Sequence, residues 1–554
     1  MTLIIDHQNK IINFRNEGHF ESKSFGDTVD SCEETMTMLL AGTYEFEKPI
    51  VWIDSKKGVQ VICLPRAPPF EVYYCQNSSG DKIFTREYLE AIEFVGHVSI
   101  DLEAKNFFLM NSVFPPRRTY VKEVKRIMPG EILWGPSLSE TSNVGESRQS
   151  TDEELTYERF IFLFDSFIKS KVEGKDVAVL LSGGVDSTSV AVAARKYAKS
   201  LRAYTMSYTP AMRGVFADLE KARETATALG IEMTICEVDL TKYSLDRYKQ
   251  FINVMPMSSG LTAGFDTAME YIKKDNLESV LTGQNADWLY WLSATSRATL
   301  SRGGLAALFR RSFLTRQYFS HVLSKKNGKF PFGSSRYSVV FYLWEWLGAV
   351  IFSLAKRRVF FPPCNAAELV HAFQLRPDVT VFLTKNERLP AQITEFYSPQ
   401  ELYTALMRVV IEKNMMLPDS QIIRRAAENH GLKVVFPYSS EILIDFWIGK
   451  IPNISELFAH KKMISRYVRD HLPSYYKRKE GDPKGGRADS LEEQKWARFI
   501  LESTPWLLSI YKRNKALPEA ITDYRKLTYT INCLWVECIE EQIKLKSSTR
   551  SLQG

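Results

Sequence analysis

Residues 176–187 read Asp176-Val-Ala-Val-Leu-Leu-Ser-Gly-Gly-Val-Asp-Ser187, and a helix-forming stretch, 188–199, follows. An unbroken apolar run closed by a turn signal is how a strand buried on both faces of a parallel sheet reads. The two glycines let the chain turn tightly before the helix begins. A helix N-terminus reached through such a turn presents backbone amides to an anion, and the Ser182 and Ser187 hydroxyls add polar contacts. The stretch is therefore a phosphate loop. It lacks the lysine of GxxxxGK[ST] loops, so transfer of a γ-phosphoryl group is not the chemistry it points to. Asp186 suits a magnesium ligand, because Mg²⁺ is usually held by one or two carboxylates together with substrate phosphates.

Outward from the loop, strands are expected at 203–208, 233–238 and 279–282 and a helix at 219–229, with a second glycine turn after Thr282. This rhythm predicts a doubly wound α/β sheet with its ligand site outside the carboxyl ends of the strands. Upstream, residues 1–136 alternate short β-like runs, at 49–54 and 70–74, with polar turn clusters such as 76–81, the pattern of a sheet-rich domain. Residues 137–152, rich in Ser, Thr and Glu, read as a linker or exposed loop, which leaves 153–554 as the second domain. Downstream of about Trp288 the chain looks mainly helical and carries no internal repeat. The apolar stretch 338–355 has the length of a membrane span. Glu345 near its middle and Gly348 make a buried helix the better reading, since a charge at the bilayer centre is costly.

A length of 554 residues predicts two to four domains at roughly 100 to 200 residues each, and 45% hydrophobic with 25% charged residues excludes disorder, collagen and small disulfide scaffolds. The seven cysteines, Cys32, Cys63, Cys75, Cys236, Cys364, Cys533 and Cys538, form no CxxC pair, and Asp6 and His7 interrupt the N-terminus. We expect a reducing, cytoplasmic compartment and no zinc site. The net charge of +7 is unevenly placed: between Trp288 and Ala366 twelve Lys or Arg meet one acid, Glu345, so that segment is +11 and the remainder −4. Such local basicity argues against general nucleic-acid binding. It makes 297–358 a candidate for an acidic substrate or for peripheral contact at the inner membrane surface.

The loop resembles the SGGxDS signature of the PP-loop ATP pyrophosphatases, which cleave ATP to AMP and pyrophosphate while activating a carboxylate, carbonyl or similar oxygen. Sulfur-inserting tRNA enzymes of that class generally use cysteine pairs, which this sequence lacks. Three further stretches narrow the resemblance. Thr119-Tyr-Val-Lys-Glu-Val-Lys-Arg-Ile-Met-Pro-Gly-Glu-Ile-Leu133 looks like the Pro-Gly segment closing an asparagine synthetase glutaminase domain. Leu281-Thr-Gly-Gln-Asn-Ala-Asp287 looks like that family's second glycine loop, and Arg425 with Gly431-Leu-Lys-Val-Val-Phe-Pro-Tyr438 like its late Arg and Pro-Phe segment. Four landmarks in the family's order make the chain similar to the asparagine synthetase superfamily. The resemblance implies an Ntn-hydrolase-like α+β domain, then an adenine nucleotide α-hydrolase-like α/β synthetase domain with a helical C-terminal part. It implies ATP and Mg²⁺ as cofactors. Ser182, Gly183, Gly184, Asp186 and Ser187 would hold the pyrophosphate portion of ATP, and Leu181, Met206, Thr282 and Gly283 would contact the nucleotide. Asp186 and Asp287 would bind Mg²⁺. A late lysine, Lys479 or Lys484 in the segment after His471-Leu-Pro473, would stabilise developing charge.

Three departures qualify the resemblance. Thr2 stands where glutamine-dependent members have a cysteine, and threonine would act only with Met1 removed and an oxyanion site at hand, so the first domain is expected to be a degenerate glutaminase. Gln284 and Lys433 replace two carboxylates, and Lys433 argues against the Tyr-Glu base of β-lactam synthetases. His430 and His460 are read as packing or surface residues. The expected activity is an AMP-forming carbon–nitrogen ligase, asparagine synthase (glutamine-hydrolysing)-like but without glutaminase, joining a small-molecule, peptide or glycan carboxylate to ammonia or an amine. Lasso-peptide cyclases, β-lactam synthetases and enzymes amidating surface-polysaccharide sugar acids mark the range of acceptors. A non-catalytic nucleotide-binding or regulatory protein is the rival, against which the retained carboxylates count.

Overall fold

The computed structural model describes residues 2–5, 11–15, 21–25, 36, 39–40, most of 49–143, 156–208, most of 219–252, 261–286, 418–448, 462–476, 491–514 and 523–551. Asp287, Lys479, Lys484, His460, the basic segment 297–358 and the apolar stretch 338–355 lie outside the described residues.

Strands β1 (Thr2–Ile5), β2 (Ile11–Arg15), β3 (Glu21–Phe25), β4 (Ile50–Asp54), β5 (Gly58–Cys63), β6 (Val72–Gln76) and β7 (Lys82–Thr85) come first. Helices α1 (Tyr88–Val95) and α2 (Leu102–Asn111) follow, then β8 (Lys125–Ile127), β9 (Glu131–Trp134) and β10 (Glu140–Asn143). The strands form two sheets, β2-β1-β7-β6-β8 and β10-β9-β5-β4-β3. Because successive side chains point to opposite faces, each sheet contributes to two cores. Val51, Ile62 and Leu133 of one sheet meet Leu3, Val72 and Phe84 of the other between them. Ile50, Trp52 and Val61 pack on the outer side with Leu39. Tyr73, Cys75 and Ile83 face Tyr88, Ile92 and Phe108 of α1 and α2. The interval read as linker opens with β10, paired antiparallel with β9 from Glu140 opposite Trp134 to Asn143 opposite Glu131. Its polar composition is that of an exposed edge strand.

Helix α3 (Tyr157–Val172), capped by the Thr156 side chain accepting from the Arg159 amide, leads into the parallel sheet. That sheet alternates β11 (Asp176–Leu180), α4 (Val185–Tyr197), β12 (Ser200–Tyr208), α5 (Leu219–Leu229), β13 (Glu232–Val238), α6 (Leu245–Lys249), α7 (Leu261–Lys274), β14 (Ser279–Thr282), α8 (Pro418–Asn429) and β15 (Lys433–Val435). Its order is β13-β12-β11-β14-β15, every pairing parallel. Chain order thus reverses between β11 and β14, and in doubly wound sheets a crevice opens at that switch point. Helix α4 begins at Val185, three residues before the sequence expectation, because the extended Gly184 serves as its N-cap and places Asp186 and Ser187 in the first turn.

The apolar run of β11 divides by parity. Val177 and Val179 pack with α3, α4 and the later helices α9 (Glu441–Ile448) and α10 (Lys462–His471). Ala178 and Leu180 face a core that includes α7, α8, α11 (Leu491–Ser503), α12 (Pro505–Arg513), α13 (Asp523–Ser551) and the N-terminal region's α1 and α2. Trp535 of α13 is fully buried in that seam. Its ring lies 5.9 Å from Tyr88, 5.2 Å from Phe108, 5.6 Å from Phe114 and 6.0 Å from Tyr120, and its Nε1 donates to the Ile252 carbonyl at 2.9 Å. Among the described residues no helix is long and apolar enough to cross a membrane.

Candidate active site

At the switch point the turns after β11, β14 and β15 meet. Leu181 is buried and anchored by its backbone: its amide donates to Tyr204 O at 2.9 Å and its carbonyl accepts from Thr205 Oγ1 at 2.6 Å. Gly183, at φ +78°, makes the turn that favours glycine. Gly184 caps α4 without a side-chain hydrogen bond, and the first-turn amides precede the point where intrahelical acceptors become available. Ser187 is buried and holds the loop's shape: its Oγ accepts from the Ser182 amide at 3.1 Å, lies 3.0 Å from Ser182 Oγ and donates to Gly184 O at 3.1 Å. Ser182 itself is exposed, its Oγ accepting from the Gly184 amide at 3.4 Å. The result is a hydroxyl-braced glycine turn at the positive end of a 13-residue helix, a position whose partial charge favours an anion.

The turn after β14 presses on this loop. A Cβ at Gly283 would stand 2.6 Å from Ser187 N and 2.7 Å from the Asp186 carbonyl carbon, so only glycine lets the two turns approach. Thr282 is buried and its Oγ1 accepts from the Gln284 amide at 3.2 Å. Asn285, buried at φ +73°, donates through Nδ2 to Ser439 Oγ at 2.5 Å and accepts from Ser420 Oγ of α8 at 3.0 Å. Ser439 belongs to the 3₁₀ turn Pro437–Ser439 that follows β15, so this one amide ties two turns and a helix start together.

Tyr438 of the same turn is fully buried, with its hydroxyl 2.6 Å from Ser189 Oγ. Ser189 in turn donates to the Asp186 carbonyl at 2.7 Å, so the tyrosine is the donor of the pair. Burial, with the charge of Asp186 adding to it, pushes the Tyr438 phenol well above its ordinary value and keeps it neutral. Met206 is half-buried on β12, its sulfur 3.0 Å from where a Cβ on Gly264 of α7 would lie. The carboxylate of Asp186, half-buried in the first turn of α4 beside the loop, is a hard oxygen donor of the kind Mg²⁺ takes.

Two of the landmark residues stand elsewhere. Arg425 pairs with both carboxylate oxygens of Glu87, at 3.2 and 3.3 Å, and joins α8 to the N-terminal region. Lys433 opens β15 with an exposed side chain, at the end of the strand away from the crevice. His430 pairs at 2.9 Å with the buried Asp266. Sequence reasoning missed Ser189, Ser420, Tyr438, Ser439 and Tyr475, whose hydroxyl donates to Gly183 O at 2.9 Å. Their one shared signal is position, since several open or follow turns at strand ends.

None of the five described cysteines has the character of a nucleophile. Burial pushes Cys75 and Cys236 up to about 12 and Cys533 and Cys538 up to about 11. Cys63 is raised too, by burial first and then by the charges of Glu441 and Glu131. A thiol so raised is almost wholly protonated at neutral pH and inert.

The asparagine synthase family model matches residues 163–526. Among solved structures, the NH3-dependent NAD synthetase from Campylobacter jejuni subsp. jejuni NCTC 11168, in complex with the nitrate ion, aligns at 21% identity with a TM-score of 0.18, over 24% of this chain. The chain spans 60% of that relative's length. No curated protein matches.

Proposed function

Starting from the fact that the chain belongs to the asparagine synthase family, we propose that it is an ATP-dependent carbon–nitrogen ligase that adenylates a carboxylate, releases pyrophosphate and passes the acyl group to ammonia or an amine. The observation that carries this reading is the meeting of three turns at the switch point, where the start of α4 and the Asp186 carboxylate share one crevice. The cradle of residues 182–187 would hold the phosphates, with Gly283 keeping the adjoining turn close enough to shape it. Asp186 would hold Mg²⁺ together with Asp287, and the ion would neutralise charge on the phosphates. A neutral Tyr438 beneath the first turn keeps the Ser189 hydroxyl aimed at the Asp186 backbone, which fixes the helix start from below. Of the two late lysines we favour Lys479 as the cation for charge developing in the transition state, because it follows Tyr475, which is bound to the loop, by only four positions.

Ammonia or a substrate amine, and not glutamine, is the proposed nitrogen donor, and the protonated state of the described cysteines supports this. The carboxylate is a small-molecule, peptide or glycan acid. The basic segment 297–358 is proposed to meet an acidic substrate or the membrane surface. Neutralising Arg310, Arg311 and Arg316 should then reduce sedimentation with anionic liposomes, and unchanged binding would remove the membrane role.

The test is product analysis of ATP turnover with Mg²⁺, ammonium or glutamine, and a panel of carboxylates including aspartate and uronic acids. Pyrophosphate formed with ammonium and one acid class supports the reading and names the substrate. ADP as the product would sink it. Asp186→Ala should abolish pyrophosphate release in a protein that still folds.

A further inference from the structure

We infer that Tyr475 is a positioning residue for the phosphate cradle, a latch that fixes the orientation of the peptide between Gly183 and Gly184. The inference rests on the nucleotide reading above and adds to it a residue 288 positions beyond the loop. In a planar trans peptide the carbonyl and the following N–H point in opposite directions. The Tyr475 hydroxyl holds the Gly183 carbonyl from outside at 2.9 Å, which sends the Gly184 N–H inward, to the side where it meets Ser182 Oγ. A peptide flanked by two glycines, the first at φ +78°, is the one in the loop freest to flip. Flipped, it would aim a carbonyl oxygen into a cradle built for phosphate and replace attraction by repulsion. Ser182 and Ser187 hold the two ends of the loop, but the carbonyl of Gly183 is reached by neither of their hydrogen bonds.

The surroundings of Tyr475 make the latch firm. It sits in the 3₁₀ turn Pro473–Tyr476 directly after α10, its ring packs against the α3, α4 and α10 core, and its amide donates to Leu472 O at 3.0 Å. The Lys221 ammonium of α5 lies 4.1 Å over the ring face. A cation there draws electron density from the phenol and sharpens its O–H as a donor. The latch thereby ties the turn Pro473–Tyr476 to the loop that would hold the phosphates.

The experiment compares ATP, in the presence of Mg²⁺, with AMP as calorimetric ligands of the full chain and of Tyr475→Phe, which keeps the ring and removes one oxygen. The variant should bind ATP about 3- to 10-fold more weakly, the effect of one hydrogen bond, while AMP affinity stays within about twofold and the melting temperature is unchanged. Unchanged ATP affinity would overturn the latch. So would an equal weakening of ATP and AMP or a lowered melting temperature, either of which makes Tyr475 a packing residue only. Failure of the unmodified chain to bind ATP overturns the functional reading and the latch with it.

Discussion

The crevice at the switch point and the seam around Trp535 are built on opposite principles. In the crevice the contacts are hydroxyls, one amide and glycine backbone, and Gly283 leaves room where a side chain would run into the backbone of Asp186 and Ser187. In the seam four aromatic rings surround a fifth, and the one polar group of Trp535 is satisfied by a single carbonyl. Hydroxyl-rich turns hold a shape at a helix start, the kind of position that favours an anion. Aromatic packing buries large apolar areas and gives stability but no chemistry. The seam therefore governs whether the N-terminal region and the synthetase half fold as one body, and on the proposed function the crevice governs what that body binds.

The largest effect that tests this division is at the seam. Trp535→Ala should cost about 3–5 kcal/mol of stability, the range for emptying a large buried aromatic site, and lower the urea unfolding midpoint accordingly. A loss below about 1 kcal/mol would mean the rings around Trp535 close up and the seam is not what joins the regions.

A buried charge inside the seam's own core sharpens the contrast. Asp266 on α7 accepts from Tyr243 at 2.7 Å, His430 at 2.9 Å and Arg247 Nε at 2.8 Å. Burial, the largest influence, raises its carboxyl, but the hydrogen bonds from His430 and Tyr243 with the Arg247 charge outweigh it and leave the group below its ordinary value. A depressed folded-state pKa contributes stability above the unfolded value of about 3.9 and loses it as pH falls through the folded value. Asp266→Asn should therefore cost about 2–3 kcal/mol at pH 5 and progressively less toward pH 3, measured by urea midpoints across that window. A difference independent of pH would show that shape, and not charge, matters at this site.

At the crevice the same kind of steric argument runs in reverse. Gly283→Ala places a methyl against the backbone of Asp186 and Ser187, where no flexible side chain can yield, so the two turns must move apart. We expect ATP affinity to fall about 10- to 100-fold with little change in melting temperature, the signature of a site and not of a core. Equal losses in both would erase the distinction between crevice and seam.

The parts of this contrast differ in how readily the sequence reveals them. Strands 279–282 and helix 219–229 match the observed elements, because apolar runs and helical periodicity are local. Both glycine turns of the crevice were legible for the same reason. The sequence places the start of α4 late because Asp186 and Ser187 look like loop residues until Gly184 is known to be the cap. The strand Glu140–Asn143 looks like linker in the sequence because an exposed edge needs no apolar alternation. Tyr438, Ser439 and Tyr475 were illegible as site residues, since each meets its partner across at least 154 positions and one hydroxyl leaves no periodic trace. The aromatic shell of Trp535 failed likewise: its members lie in α1, α2 and the chain that follows, and composition cannot say which rings will meet.

The smallest expected effect is an absence of reaction, and it bears on which half of the molecule keeps chemistry. If the N-terminal region and the seam serve packing, their thiols should be inert. With values near 11 to 12, Cys75, Cys533 and Cys538 would be thiolate to only about 0.1% or less at pH 8, and burial would shield even that fraction. Iodoacetamide at pH 8, with the modified sites mapped by mass spectrometry, should leave these three unlabelled in the folded chain and label them after denaturation in urea. Rapid labelling of Cys75 in the folded chain would break the comparison, because a reactive thiol in the N-terminal region would give that half a nucleophile of its own and reopen glutamine as the nitrogen donor. Protection of all three would leave the switch-point crevice as the place to look for turnover.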